Sequence, residues 1–241
     1  MKTAFAALLT GSLCLGIAVA PCASQDKPKP SPPTVKIPQP GVPQIMTMEG
    51  SFVRAAYNNE GYVILGYQLV QRSVGEKWIL LEVGMTLREG VSDYKMTRDK
   101  LSLDKPDGKR VPLPTQTEYQ EADLRSLEMR EKVQRDSINY FPPMASRPCR
   151  IGFFSDIDNR TMSWDEVELS YMRACLGRLY FPIPEGIGYG QYWLNVQFEK
   201  SLIRVPFRVF TKEEEKKLSK NYKAISKQIE EAFKPPKKKK S

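Results

Sequence analysis

From Gln191 to Val209 apolar and polar residues alternate so regularly that a strand pair accommodates them and a helix does not. Tyr192, Leu194, Val196 and Phe198 fall on one side, with Gln191, Trp193, Asn195, Gln197 and Glu199 on the other. After a turn at Lys200-Ser201 the pattern resumes, with Ile203, Val205, Phe207 and Val209 opposed to Arg204, Pro206 and Arg208. Pairing Phe198 with Ile203 aligns Val196 with Val205, Leu194 with Phe207 and Tyr192 with Val209, so one register gathers every apolar side chain on one face. A hairpin with one apolar face needs a second layer over it.

The rest of the chain supplies strands for that layer. Ser51–Tyr57 and Tyr62–Gln71 flank the turn Asn58-Asn59-Glu60-Gly61. Trp78–Leu87 sets Ile79, Leu81, Val83, Met85 and Leu87 against Leu80, Glu82, Gly84 and Thr86, and Lys100–Leu103 and Arg110–Leu113 flank the turn signal Pro106-Asp107-Gly108. Thr117–Ile138 is rich in Glu, Gln, Arg, Leu and Met instead. Thr117 with Gln120 fits a capping box and Leu124, Leu127 and Glu131 share a helical face, which predicts one surface helix inserted between strands. Pro142-Pro143 ends it, and Cys149–Phe154, Val167–Leu169 and Leu176–Ile183 return to strand chemistry around the polar loop Ser155–Ser163. The expected body is mainly β, an antiparallel β-sandwich over 45–210 with an insertion at 117–163. A second capping box, Thr211 with Glu214, opens a final helix over 211–233. Its stripe Leu218, Tyr222, Ile225, Ile229 and Phe233 calls for a cover, supplied by the sandwich itself, a second copy or a protein partner.

The two ends read differently. Lys2 precedes an apolar run from Ala4 to Ala20, the pattern of a secretory signal peptide over 1–23; a retained membrane anchor is the other reading, because Pro21 disfavours cleavage directly after Ala20. Residues 24–44 hold too many prolines for a packed element and read as an extended polyproline spacer or, alternatively, a ligand for a groove. Export implies a periplasmic or secreted protein. Lys234 and Lys237–Lys240 supply five of the formal charge of +9, Lys2 one, and Lys27, Lys29 and Lys36 less Asp26 two, which leaves +1 for the body. A nucleic-acid-binding face is therefore unsupported. The tail, 234–241, is expected to be disordered, with Lys237, Lys238, Lys239 and Lys240 adding a weak, salt-screened attraction to anionic surfaces. In an oxidising compartment Cys149 and Cys175, the body's two cysteines, invite a disulfide; two buried free thiols are the alternative.

Three pieces carry a family resemblance: Trp78-Ile79-Leu80-Leu81-Glu82-Val83, then Leu101-Ser102-Leu103-Asp104 leading to Asp107-Gly108, then Gly177-Arg178-Leu179-Tyr180-Phe181-Pro182-Ile183-Pro184. Their order resembles the telokin-like, immunoglobulin-type domains of exported bacterial proteins over about residues 51–210. The resemblance implies an immunoglobulin-like sandwich and a cell-envelope location but no reaction. The inserted segment and the C-terminal helix depart from that pattern.

The chain holds no histidine, which removes Ser-His-Asp and Cys-His catalysis and every imidazole ligand. Ser-x-x-Lys in a strand-to-helix setting, Gly-x-Ser-x-Gly and Walker motifs are absent as well. Asp156, Asp158, Asn159, Asp165 and Glu166 are rich in oxygen ligands, but Arg160 and the lack of a following glycine break the calcium-loop pattern, and a solvated loop is the plainer account. No cofactor or metal is called for. The polar side of the hairpin is a better candidate. The expected register sets Trp193 opposite Arg208 and Gln197 opposite Arg204, so Trp193, Tyr189, Arg208 and Arg204 offer a platform for a sugar ring or an acidic group, or else simply hold that face together. The expected function is non-enzymatic binding or structural support in the cell envelope through protein partners; the alternative is a carbohydrate-binding module.

Overall fold

The computed structural model describes residues 45–49, 52–134, 137–155 and 161–221. The expected signal peptide, spacer and basic tail, together with Tyr222, Ile225, Ile229 and Phe233, lie outside the described residues. In chain order the strands β1 (Ile45–Met48), β2 (Val53–Tyr57) and β3 (Gly61–Gly66) lead to a one-turn helix α1 (Gln68–Gln71), followed by β4 (Trp78–Leu87) and β5 (Tyr94–Thr97). Next come β6 (Leu101–Asp104), β7 (Arg110–Pro112) and two short helices, α2 (Gln116–Glu121) and α3 (Arg125–Val133). The remaining strands are β8 (Arg147–Ile151), β9 (Glu166–Leu169), β10 (Arg173–Pro182), β11 (Gly190–Gln197) and β12 (Leu202–Val209), and a helix over 212–221, here α4, follows.

The strands form three sheets: six-stranded in the order β1-β2-β3-β4-β10-β8, four-stranded in the order β12-β11-β6-β7, and the pair β5-β9. The two larger sheets face each other over one apolar core, as in a β-sandwich. Leu81, Val83, Leu179 and Phe181 from the six-stranded sheet join Leu103, Leu194, Val205 and Phe207 from the four-stranded one. All pairings within these sheets are antiparallel except β8 with β10, where Cys149 lies directly opposite Cys175 and the two are joined by a disulfide. Of the two thiol readings, the bridge is the one the structure shows.

The outer face of the six-stranded sheet is not left to water. β4 is buried from Ile79 to Leu87, and the segment following β7 lies across its far side. Phe141 rests on Gly84, where an added Cβ would stand 2.7 Å from the ring, and Ile138 and Phe141 close over Val53, Ala55 and Ile64. Glycine at this position is therefore a packing requirement. Leu80, Glu82, Gly84 and Thr86, the residues that looked outward by alternation, are thus interior too. The insertion makes a third layer.

Several expectations need correction. The hairpin pairs Val196 with Ile203, Leu194 with Val205 and Tyr192 with Phe207, two residues from the expected register. A slip of two preserves the faces, since side chains repeat every second residue. Its cause is the turn: the Phe198 N–H donates to Ser201 O at 2.8 Å, which closes a loop of only Glu199 and Lys200, and that turn is tied to the first hairpin. Asn58 Nδ2 donates to Ser201 Oγ (2.8 Å), while Ser201 Oγ and Lys200 N donate to the Glu60 carboxylate (2.5 and 3.0 Å). The second strand ends at Gly66, with Leu69 and Val70 buried from α1 instead. The expected single helix is two, and the capping box lies at Thr115 and Glu118. Pro112 and Pro114 keep the chain extended up to the cap, and a glutamate at N3 suits the helix dipole better than Gln120 would. Thr211 and Glu214 do form the second box, with Glu214 N donating to Thr211 Oγ1 and Thr211 N to Glu214 Oε2.

Candidate functional site

The third layer brings together charged groups that lie far apart in the sequence. Leu124, Leu127, Glu128 and Glu131 follow helical spacing, so the face of α3 that buries the leucines buries the two carboxylates as well, at 4% and 1% exposure. Beneath them, β10 presents Leu176, Arg178 and Tyr180 on its outer side, and β4 places Glu82 directly opposite Arg178. Glu128 Oε1 accepts hydrogen bonds from Tyr180 and Tyr119, both at 2.9 Å. The Tyr119 hydroxyl also lies 2.8 Å from Ser155 O, and its single proton serves one acceptor at a time. Arg178 Nη2 stands 2.7 Å from Glu131 Oε2. Tyr119, Phe154 and Tyr180 pack ring on ring, with centroids 4.8 to 5.2 Å apart, and screen the Glu128 pair from water.

Beside this network is a cleft of about 270 Å³, floored by Glu82, Leu176, Arg178 and Tyr180 and bordered by Arg150 and Phe154. Burial, with Tyr119 and Glu128 beside it, pushes the Tyr180 phenol well above its ordinary value, so it stays a neutral donor. Burial alone would weaken protonation of Arg178, but the nearby negative charge, Glu131 first, outweighs it and raises the group. The site therefore holds fixed opposite charges and neutral phenol donors. Such an arrangement positions and discriminates a bound group; Tyr180 is not poised to take a proton.

The hairpin residues are distributed differently. Arg204, not Arg208, stacks on Trp193, with the guanidinium carbon 4.9 Å from the ring centre, because the shifted register sets Trp193 opposite Pro206 and Arg204 opposite Asn195. Arg204 also bonds Asn195 Oδ1 (3.0 Å) and Asp104 Oδ2 (2.8 Å), and Arg110 takes the other oxygen of Asp104 at 2.8 Å. Arg208 instead reaches Glu214 on α4 at 2.6 Å, and Tyr189 stands half exposed on the turn before β11. Trp193 and Arg204 are brought together; Arg208 and Tyr189 make no ring or cation contact with Trp193 among the described residues. In the oxygen-rich stretch, Asp156, Asp158 and Asn159 lie outside the described residues, Glu166 pairs with Lys95, and Asp165 lies 3.7 Å from Arg98. The described residues contain no cluster of three side chains able to hold a metal ion.

The sequence reading placed Glu131 on the apolar stripe of the helix but missed Glu82, Glu128, Arg178 and Tyr180 as a group. A carboxylate one turn along from a buried leucine was the available signal; its partners on β4 and β10 had no local one. No protein-family model matches the chain, and no curated protein or solved structure shows significant similarity to it.

Proposed function

We propose that this chain is an exported, immunoglobulin-like sandwich of the telokin type that works by binding rather than catalysis, and that it engages a protein partner through its inserted segment and the stretch leading into β9. One observation carries the reading. Met129, Val133, Tyr140, Met144, Met162 and Trp164 are exposed, more large apolar side chains than the rest of the described residues expose together. Val133 is 80% exposed, on a helix whose other face is locked onto the sheet, and Met162 is 73% and Trp164 59% exposed, on the chain between β8 and β9. Exposed aromatic and methionine side chains on a rigid support suit a recognition surface. The bridge between Cys149 and Cys175 supports an oxidising, extracytoplasmic setting.

The test is a photo-crosslinking amino acid placed at Trp164 and, as control, at the exposed Leu202 on β12. The reading expects one dominant protein adduct at 164 that is lost on Met162→Ser and reformed with purified components. Equal adducts from both positions, or none at 164, would overturn it, and a glycan adduct would favour the carbohydrate-binding alternative.

A further inference from the structure

The cleft beneath the insertion has a chemistry of its own. Arg178 and Glu82 are register partners on neighbouring strands, so a guanidinium and a carboxylate stand side by side on its floor. Glu82 is only 7% exposed. Arg178 is paired with Glu131 through Nη2 at 2.7 Å, the one ion pair it makes among the described residues, and its side chain keeps 25% exposure. A guanidinium presents five donors in a planar fork, so one ion pair leaves room for a bidentate carboxylate. A carboxylate such as Glu82 has several lone pairs and takes a further donor without giving up one it already holds. Arg150 adds positive charge at the rim, while Ile151, Phe154 and Leu176 line the space between the charged groups and the mouth.

We infer that this cleft is a binding site for a small zwitterion of α-amino acid type. Its carboxylate lies on the Arg178 fork, its ammonium on Glu82, and its apolar side chain against Leu176, Ile151 and Phe154. An α-amino acid carries its ammonium and carboxylate on one carbon, which matches two groups on directly opposed strand positions and does not match a ligand of one charge. The volume, about 270 Å³, is at the small end for ligand pockets and fits a molecule of that size. The inference does not depend on the protein partner proposed above, since none of the exposed apolar side chains named there lines the cleft.

The experiment is calorimetric titration of the full chain with L-leucine, 4-methylpentanoate and L-leucinamide, the last two each lacking one charge. L-leucine is expected to bind saturably, and each single-charge analogue at least about tenfold more weakly, as follows when a charge-assisted hydrogen bond goes unmade. Glu82→Gln should weaken L-leucine by about tenfold while leaving 4-methylpentanoate unchanged, because only the ammonium contact is lost. Retained 4-methylpentanoate binding by Glu82→Gln guards against a folding defect, and Leu176→Phe, which fills the cleft without touching a charge, should abolish binding of all three. Absence of saturable L-leucine binding, equal binding of the three compounds, or an unchanged affinity in Glu82→Gln would each overturn the inference.

Discussion

Glu128 is nearly sealed from water and receives its hydrogen bonds from two phenols, which makes its stability contribution separable by mutation. Tyr180→Phe removes one donor and no packing volume. A hydrogen bond to a charged group contributes about 1.5–3 kcal/mol, so this variant should unfold about 2 kcal/mol more readily. Tyr119→Phe should cost less, because its single proton is shared between Glu128 and Ser155 O, so Glu128 holds it only part of the time. The double variant is the informative one. It leaves a buried carboxylate without either phenol, a stranded charge costing about 3–5 kcal/mol, so the loss should exceed the sum of the single variants. Adding Glu128→Leu to the double variant should restore about 2 kcal/mol, since an apolar group among apolar neighbours needs no donor. Urea unfolding at neutral pH, followed by tryptophan fluorescence and circular dichroism, measures all five proteins. Additive losses, or a triple variant no more stable than the double, would show that the phenols act by packing and that the charge at Glu128 is not held by them.

Two further outcomes follow from pairs already described. The bridge from Cys149 to Cys175 closes a separation of 26 residues, so Cys149→Ala/Cys175→Ala should lower unfolding stability by about 3.5 kcal/mol on the chain-entropy account, and reductant should then have no further effect. Burial alone would raise the Asp104 carboxyl, but hydrogen bonds from Arg110 and Asn195 and the charges of Arg110 and Arg204 outweigh it and hold the group below its ordinary value. The unfolded chain then takes the proton first, so the stabilisation is present above about pH 4, the unfolded value, and is lost as pH falls through the lower folded value. A pH series of unfolding midpoints should therefore show the wild-type protein losing its advantage over Asp104→Asn below about pH 4; parallel curves would refute the assignment.

The faces of the central hairpin were legible because alternation is a local property: Tyr192, Leu194 and Val196 are interior wherever the register falls. The register itself was not, since Glu60 and Asn58, far off in sequence, fix the turn that sets it. β4 announced one apolar face plainly, and its second buried face had a weaker signal in Leu80 and Gly84. Of the pair β5-β9, β9 was legible in Val167–Leu169, whereas β5 gave no signal, because Tyr94–Thr97 is four residues long and alternates ambiguously. α1 read as strand because Leu69 and Val70 suit either state and one turn is too short to show a helical period. The candidate cleft was the least legible part. Glu82 and Arg178 each sat on the side of a strand that usually meets water, and only the presence of a third layer turned those sides inward.

The inserted segment leaves from β7 in one sheet and returns at β8 in the other, and its point of return is stapled covalently to β10. Its length and outer residues therefore place no demand on the pairing of the strands it joins. Phe141 on Gly84 and the Glu131–Arg178 pair keep it seated, so substitutions on its outside leave both anchors and the sandwich intact.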